Sequence, residues 1–330
     1  MKKRSRSPIF ILLLIAAAIG YYVYQQRGKP VLDPVPGPVA GKLVIHFLDI
    51  GQGDSQLIQL PDGETILIDS GDRGAPTVDL LKRYGVTEID LIVATHPHAD
   101  HIGEMRDIMR AFKVKEVWDS GFNNNTKTQR DMLEEISSRG IKISLPKQGE
   151  TSRLGQALLE VLNPPARMPD EANNASLVVR LTFGKKRFLF TGDAEEDTWD
   201  RMIATEKDKL RADLLKAAHH GSSNGTRRDV LDAVRPEIVT ISCAAGNSYH
   251  HPHPSVVNML EDRESKVKLF RTDLQGAITA TSDGDTIEMT AEKQVARNRL
   301  YLTGDEVVGK AASEAGGEPS RSNRMNKGKR

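Results

Sequence analysis

The chain has 330 residues, of which 38% are hydrophobic and 28% are charged, the composition of a globular protein with a substantial core. The formal net charge of +1 hides an uneven distribution, because residues 31–292 carry 31 basic and 41 acidic side chains, a net of −10. An acidic central part disfavours simple electrostatic capture of nucleic acid, although bound divalent ions would reverse the field locally. The one cysteine, Cys243, excludes an internal disulfide.

The N-terminus has the pattern of a membrane-targeting segment. Residues 1–26 place four basic residues before an apolar run that extends from Pro8 to Tyr24, which predicts a signal anchor or a cleaved signal peptide. The aromatic end of the run favours an uncleaved, single-pass anchor with the rest of the chain outside the cytoplasmic membrane; cleavage would make the protein secreted. Residues 27–41 are rich in proline and glycine and predict a stiff linker.

Predicted strands and helices alternate from residue 42 onwards. Segments 42–50, 55–60 and 64–69 are strand-like, and a helix over 77–84 leads into the continuous apolar strand 89–95. Helices follow from His101 to about residue 112 and over about 128–139. The second half repeats the arrangement, with strands such as RFLFTGD and DLLKAAHHG, helices after Glu195 and from Pro254, and three closing strands.

Two sheet-forming halves with intervening helices predict one α/β domain over about residues 42–292, built as two stacked sheets covered by helices on both sides. Residues 293–330 contain few large apolar side chains and nine basic residues. This composition predicts a disordered, solvated basic tail.

The segment THPHADHIG, residues 95–103, holds four candidate metal ligands within six positions: His96, His98, Asp100 and His101. They lie on a loop at the carboxyl end of the apolar strand 89–95. Imidazoles with a carboxylate are the ligand set of zinc or a similar divalent ion. A single histidine there would more often be structural, whereas four potential ligands together predict a metal site. No histidine follows until His219.

THPHADH resembles the H-x-H-x-D-H signature of the metallo-β-lactamase superfamily, in which the first two histidines bind one metal and the Asp-His pair binds a second. Seven blocks across residues 43–280, including FLDIGQGDS, NNASLVVRL, LLKAAHHGSSNG and GNSYHHPHP, are similar in order and spacing to the extracellular hydrolase domain of the ComEC competence family. The resemblance implies a metallo-β-lactamase-like αββα sandwich and metal-dependent degradation of DNA.

The resemblance also implies roles for later residues. Asp193, in TGD, is expected to bridge two divalent ions, although it would also serve as a helix cap. Of the pair in HHG, His220 is expected to complete the second metal and His219 to face substrate, with the reverse assignment as the alternative. Neighbouring histidines at a strand end point in different directions, so both cannot easily bind one metal. Asp69, in ILIDSG, is expected to orient a ligand.

By this assignment the first metal has only His96, His98 and Asp193. Asn174, in NNAS, stands where the ComEC family also lacks a third histidine. Its amide could coordinate weakly, act through a water or contact substrate, or it could belong to an ordinary turn before a strand. His251, in YHHPHP, is expected to face the active site.

Three other polar residues are weaker candidates. Gln52 and Asp54, in the glycine-rich block DIGQGDS, border the site in the family. His46 lies within a strand and is expected to be an ordinary core or surface histidine.

An open position on the first metal suits a phosphoryl oxygen. A hydroxide held between two ions, Zn²⁺ or Mn²⁺, and kept deprotonated with help from Asp100 and Asp193, would attack a phosphodiester. His219 would stabilise charge at phosphorus or protonate the leaving oxygen.

These expectations predict a membrane-anchored, extracytoplasmic phosphodiesterase, with DNA as the leading substrate. The alternatives are a hydrolase of another substrate (phosphorylcholine esterase-like, lactonase or β-lactamase) and a non-catalytic envelope binding module. The missing third histidine disfavours lactonase and β-lactamase, since both resemble sites with three histidines. Protein partners are not predicted.

Overall fold

The structure, a computed structural model, describes residues 39–308. The predicted anchor, most of the predicted linker and the end of the predicted tail lie outside these residues. Between residues 39 and 308 no helix is both long enough and apolar enough to cross a membrane.

The first sheet contains strands from the beginning and from the end of residues 39–308. Its strands are β1 Leu43–Phe47, β2 Gln56–Gln59, β3 Thr65–Ile68, β4 Glu88–Ala94, β5 Lys113–Asp119, β6 Lys142–Ser144, β14 Ile278–Ser282 and β15 Ile287–Ala291. They are ordered β15-β14-β1-β2-β3-β4-β5-β6. Strands β3 to β6 run parallel to one another, so their carboxyl ends reach one edge of the sheet.

The second sheet is formed by the middle of the chain. Its strands are β7 Thr151–Leu154, β8 Ala157–Asn163, β9 Val178–Phe183, β10 Lys186–Phe190, β11 Leu214–Lys216, β12 Ile238–Ile241 and β13 Lys268–Arg271. They are ordered β13-β12-β11-β10-β9-β8-β7. Strands β10 to β13 are parallel and again bring their carboxyl ends to one edge.

The helices cover the outer faces of the two sheets. Their bounds are α1 Thr77–Arg83, α2 Ala99–Ile102, α3 Met105–Ala111, α4 Lys127–Arg139, α5 Glu196–Thr205, α6 Arg228–Val234, α7 Pro254–Glu261 and α8 Thr272–Gln275. Helix α3 contacts α1, α4 and β5 on the first sheet. On the second sheet, side chains of α5, α6 and α7 pack against β11 and β12 in one apolar cluster. A second cluster fills the space between the sheets, and the predicted αββα sandwich is confirmed.

Apolar runs explain the strands at the centre of the sandwich. All five side chains of β1, with sequence LVIHF, are buried, and so are all four of β3, with sequence TILI. Strands covered on both faces need such continuous runs because neither face meets water. Strands β5 to β7 were not predicted. In β5, with sequence KVKEVWD, charged side chains interrupt the run and leave its first half partly exposed.

The ordered chain extends beyond residue 292, where the sequence places the start of the disordered tail. Residues Arg297–Tyr301 form a 3-10 helix, and Tyr301 packs into the apolar cluster under the second sheet. The buried guanidinium of Arg271 donates to the Leu300 carbonyl at 2.9 Å. A few apolar side chains are therefore enough to hold this segment, although its overall composition is polar.

Candidate metal centre

The candidate ligands lie where parallel strands of both sheets end. In open α/β sheets this edge collects the loops that form binding sites. The residues that follow β3, β4, β10, β11 and β12 at this edge are Asp69, His96, Asp193, His220 and Ser242 respectively. The two sheets thus bring together residues that are far apart in the chain.

His96 and His98 face each other at the end of β4. Nε2 of His96 lies 3.0 Å from Nδ1 of His98. Because the Thr95 hydroxyl donates its proton to Asp69 at 2.7 Å, the 3.1 Å contact between this hydroxyl and His96 Nδ1 must be donated by the ring. The lone pair of His96 is then on Nε2. Burial lowers the pKa of both histidines, which favours the neutral, metal-binding form.

His101 and His220 are oriented in a similar way, but by different partners. Nδ1 of His101 lies 2.7 Å from the Asp69 carboxylate, and Nδ1 of His220 lies 2.9 Å from the Ser242 carbonyl. A carboxylate or a carbonyl only accepts, so each ring donates through Nδ1 and leaves Nε2 to bind either a proton or a metal ion. Asp69 therefore contacts His101 as the resemblance implies.

These two Nε2 atoms converge on Asp193 and Asp100. Asp193 Oδ2 lies 3.2 Å from His101 Nε2 and 3.4 Å from His220 Nε2, and Asp100 Oδ2 lies 3.3 Å from His220 Nε2. All four ligand atoms lie within 4.8 Å of one another. Asp193 Oδ2 is also 3.9 Å from His96 Nε2, so this one carboxylate faces both groups of histidines.

The buried atoms of this cluster fit a divalent cation. His101 Nε2, His220 Nε2 and Asp193 Oδ1 are buried and make no hydrogen bond. Leaving a polar atom buried without a partner costs about 1–3 kcal/mol. A divalent ion among these nitrogens and carboxylate oxygens would satisfy them together.

The charges of the cluster also favour a cation. Burial lowers the pKa of His220, but the carboxylates of Asp193 and Asp54 outweigh it and raise the pKa to about 10. Burial likewise opposes the charged form of His101, yet Asp193, Asp69 and other carboxylates raise its pKa well above the usual value. Negative charge that favours protons on these rings equally favours a metal ion in their place.

A second set of close ligand atoms comes from Asp54, Asp69 and His101, and each of its carboxylates already faces a basic side chain. Asp69 is bonded to His101, and the Asp54 carboxylate forms an ion pair with Lys216, both side chains being about 1% exposed. Lys216 Nζ also donates to the Gly192 carbonyl at 3.3 Å. The sequence did not identify Lys216, although a lysine inside the apolar strand DLLKAA was a usable signal.

A cavity of about 430 Å³ opens beside the cluster. Its lining consists of Gln52, His98, Ala99, Asp100, Asn173, Asp193, His219, His220, Tyr249 and His251. A larger cavity of about 730 Å³ lies beside β13, but none of the groups of close ligand atoms in residues 39–308 lines it. Volume alone therefore does not identify the site, and the convergence of ligand atoms does.

His219 and His251 both line this cavity. His219 Nε2 lies 3.7 Å from Asp193 Oδ2, and its Nδ1 lies 2.9 Å from Glu195 Oε1. The group of four converging ligands contains His220 and not His219. The roles of His220 as a ligand and His219 as a substrate-facing histidine stay predictions. Glu195, which holds the ring of His219, was not among the predicted site residues.

The neighbouring histidines diverge because of an unusual backbone. His219 and His220 have φ angles of 51° and 54°, in the left-handed region that non-glycine residues rarely occupy. Their ring planes are 69° apart. Such strain, of order 1–3 kcal/mol per residue, persists at sites where the surrounding structure enforces it.

At the predicted Asn174 position it is the neighbouring residue that reaches the cavity. Asn173 lines the cavity and donates from Nδ2 to Glu195 at 2.7 Å. The backbone carbonyl of Asn174 accepts from Asn163 and Thr198, while its side-chain Oδ1 is buried without a hydrogen bond. The role assigned to Asn174 stays a prediction.

Comparisons with known proteins assign the part of the chain that contains most of this site to a protein family. A model of the metallo-beta-lactamase superfamily matches residues 48–245. The chain is 30% identical over 254 residues to ComE operon protein 3 of Bacillus subtilis (strain 168), covering 71% of this chain and 32% of that protein. It is 27% identical over 252 residues to Recombination protein 2 of Haemophilus influenzae, covering 74% of this chain and 29% of that protein. The chain thus spans about a third of the length of these curated relatives.

One solved structure is similar in fold. A mutant of CmlA beta-hydroxylase superposes with a TM-score of 0.51 at 16% sequence identity, covering 74% of this chain and 54% of that chain. At this identity the similarity supports the architecture of the two sheets and says nothing about the reaction.

Proposed function

Since this chain belongs to the metallo-beta-lactamase superfamily, we propose that it is a metal-dependent phosphodiesterase with two divalent ions, acting on DNA. The observation that carries the proposal is the convergence of buried, unbonded nitrogen and oxygen atoms beside an open cavity. Similarity to Recombination protein 2 and to ComE operon protein 3 supports DNA as the substrate by analogy.

In this proposal the residues divide into two groups that share one carboxylate. Asp100, His101, Asp193 and His220 would hold one ion, and His96, His98 and Asp193 the other. Ions bound there would supply Lewis acidity, lowering the pKa of water and neutralising the charge of a phosphodiester. Because Nδ1 of His101 and of His220 is held by a protein acceptor, Nε2 is the nitrogen of each ring that would face the ion.

Residues around the cavity would act on the substrate. The Glu195 carboxylate lies 2.9 Å from Nδ1 of His219, and a proton on Nε2 of that ring would point into the cavity. That proton is in position for a leaving-group oxygen. Asn173, bonded to the same carboxylate, holds Glu195 in place.

The composition of the group formed by His96, His98 and Asp193 favours a phosphoester over a lactam. Between His101 and His219 the sequence contains no histidine that could be a third nitrogen ligand. This group therefore has two histidines, and it shares Asp193 with the group of Asp100, His101 and His220. A group with few nitrogen ligands leaves room for a charged oxygen of the substrate and makes Mn²⁺ a competitor of Zn²⁺.

Activity assays with the full chain test the proposal. Metal-free protein would be supplied with Mn²⁺ or Zn²⁺ and offered bis-p-nitrophenyl phosphate, single-stranded DNA, p-nitrophenylphosphorylcholine and nitrocefin. We expect metal-dependent cleavage of the first two. His98→Ala should remove it, whereas His250→Asn, a change at an exposed histidine outside the cavity, should not.

Two results would overturn the proposal. If the parent protein cleaves no phosphodiester with either metal, the activity is wrong. If nitrocefin is the better substrate, the reaction class is wrong. If the phosphorylcholine ester, itself a phosphodiester, is cleaved better than DNA, the phosphodiesterase stands and DNA is the wrong substrate. Metal analysis of the same samples distinguishes one bound ion from two.

We further propose that the protein is anchored in the cytoplasmic membrane by residues 1–26, with the catalytic domain outside. The support is the basic segment followed by an apolar run. Protease added to intact cells should degrade the domain while a cytoplasmic control protein survives. Recovery of the protein in the soluble cytoplasmic fraction would contradict this location.

A further inference from the structure

Tyr249 stands out at the mouth of the metal cavity. Its side chain is 59% exposed, and it lines the same cavity as His219 and Asp193. In residues 39–308 the large apolar side chains with the greatest exposure are Val39, Leu133, Ile143, Leu145, Tyr249 and Val308. Tyr249 is the most exposed of these and the one aromatic ring among them. An aromatic ring left open at a cleft suggests a ligand that covers it.

The loop that presents Tyr249 is held firmly by a neighbouring asparagine. Asn247 Oδ1 accepts from the backbone N–H of Tyr249 at 3.2 Å and of His251 at 3.0 Å. Asn247 Nδ2 donates to the carbonyls of Ala244 and His251. The ring therefore stands on a pre-ordered loop, so that covering it costs little conformational entropy.

A series of rings connects Tyr249 to the metal cluster. The ring of Tyr249 is stacked on His251, with centroids 5.7 Å apart and planes 20° from parallel. The His251 ring lies 5.3 Å from the ring of His219, which contacts Asp193. One face of Tyr249 is thus supported by protein, and more than half of its side chain is open to solvent.

Gln52 provides an independent polar contact in the same cavity. Its Oε1 accepts from the Ala244 N–H at 3.2 Å, which fixes the orientation of the amide. Its Nε2 is buried and makes no hydrogen bond. This amide N–H lies at the wall of the metal cavity without a hydrogen-bond partner, so it is suited to donate to a phosphate oxygen of a substrate.

We propose that Tyr249 is the stacking platform for an unpaired nucleobase of a nucleic acid whose phosphodiester lies at the metal centre. This inference rests on the proposed phosphodiesterase function. Every base has a flat π-face, so a rigid exposed ring binds bases with little regard to sequence. In a duplex each base is already paired and stacked, and it reaches an outside ring only after it has been pulled out. The preferred substrate is therefore single-stranded nucleic acid.

A quaternary ammonium ligand, such as choline, fits the same ring less well. Recognition of such a cation uses a cage of several aromatic rings. Among the described residues that line the cavity, Tyr249 is the one phenylalanine, tyrosine or tryptophan.

The test compares Tyr249→Ala and Tyr249→Phe with a matched control, Leu145→Ala, which also removes an exposed apolar side chain but lies outside the cavity. Substrates are a single-stranded oligonucleotide, its duplex, and single strands in which one abasic position is moved along the chain. Stacking on an aromatic ring contributes about 1–3 kcal/mol per base. Tyr249→Ala should accordingly lower kcat/KM for the single strand roughly 5- to 150-fold, while Tyr249→Phe and the control stay near the parent.

The abasic series identifies the stacked base. In the parent protein one abasic position near the cleaved bond should lower kcat/KM, and Tyr249→Ala should be insensitive to that position. Equal abasic sensitivity in the parent and in Tyr249→Ala would overturn the inference. So would a parent that prefers the duplex, or a Tyr249→Ala defect confined to p-nitrophenylphosphorylcholine.

Binding separates failure of this inference from failure of the proposed function. Fluorescence anisotropy of a labelled single strand with the metal-free full chain needs no turnover. Weaker binding by Tyr249→Ala, without cleavage of any phosphodiester by the parent, would retain the platform and reject the phosphodiesterase. Cleavage of bis-p-nitrophenyl phosphate by the parent, with unchanged binding and cleavage of DNA by Tyr249→Ala, would reject the platform alone.

Discussion

The two sheets supply the candidate metal centre in different ways. The first sheet delivers four ligands in one short segment, residues 95–103, directly after β4; Asp100 and His101 lie in helix α2 and not in the predicted loop. The second delivers Asp193, His219, His220 and His251 from separate loops, spread over nearly sixty positions of the sequence. A contiguous set of ligands is visible as a pattern, whereas a dispersed set exists only once the sheet has formed. The ligands of the first half can thus be recognised in one stretch of sequence, whereas those of the second half come together only in the folded protein.

The ligand histidines of the two halves are also oriented differently. In the first half, the side chain of Asp69 binds both Thr95 and His101. In the second, the Ser242 backbone carbonyl holds His220. A substitution of Asp69 can therefore test how the first half orients its ligand histidine. The second half uses a backbone carbonyl for this purpose, and a side-chain substitution does not remove it.

The largest effect is expected at Asp193, the one residue that faces both groups. Asp193→Ala removes the shared carboxylate, and the loss of transition-state charge stabilisation by the ions should lower phosphodiester cleavage by at least about 10³-fold. Metal analysis should show loss of both ions.

His98→Ala and His220→Ala serve as the controls, because each removes a ligand of one group. Each should lose mainly one ion. If Asp193→Ala retains the metal content of either single variant, the carboxylate does not join the two halves.

The next effect concerns the ion pair beneath the ligands. Lys216, at the end of β11, contacts Asp54, whose backbone N–H donates to the Asp100 carbonyl at 3.2 Å. The pair therefore links the two halves. Lys216→Met leaves the Asp54 carboxylate buried without its partner, which should lower the free energy of unfolding by about 3–5 kcal/mol.

Urea unfolding of the metal-free protein measures this change. Adding Asp54→Asn to Lys216→Met removes the unpaired charge and should restore part of the lost stability. A double variant no more stable than Lys216→Met would show that the buried charge is not the cause.

A smaller effect is expected at Asp69, which supports the first half only. Its carboxylate accepts from three donors, the N–H and hydroxyl of Thr95 and Nδ1 of His101, and the amide of Asp69→Asn has one oxygen instead of two to accept them. The ring of His101 would lose its fixed orientation, and metal affinity should fall roughly 10- to 100-fold. Competition with a chromophoric chelator measures the affinity.

Asp119→Asn is the matched control for Asp69→Asn. Asp119 is also a buried aspartate at the end of a strand of the first sheet, but it accepts from the Gly121 backbone and contacts no candidate ligand. Equal losses of metal affinity in the two variants would indicate a general defect of the sheet edge.

The difference between the halves also explains what the sequence could predict. Continuous apolar runs identified β1, β3 and β4, and the dense ligand loop after β4 identified one half of the site. Asp193 and His220 were assigned only through family resemblance, because nothing in their local sequence excludes a helix cap or a strand-end histidine. The role of Lys216 depends on a contact between β11 of the second sheet and the loop before β2 of the first, which no local pattern records. The same holds for Tyr249, whose exposure depends on the surrounding loops.

The smallest predicted effect separates the site histidines from a buried histidine of the first sheet. His46 on β1 stacks on Tyr84 and contacts Thr279, and burial lowers its pKa from 6.5 to about 4. The unfolded chain therefore binds a proton that the folded protein excludes, and stability falls as pH decreases through this interval. Between pH 7 and 5.5 this histidine should remove about 1 kcal/mol of stability. Urea unfolding of metal-free protein at both pH values should show that loss in the parent and a smaller loss in His46→Phe. An identical pH dependence would mean that His46 has the same pKa in the folded and the unfolded protein, and the contrast between core and site would not hold.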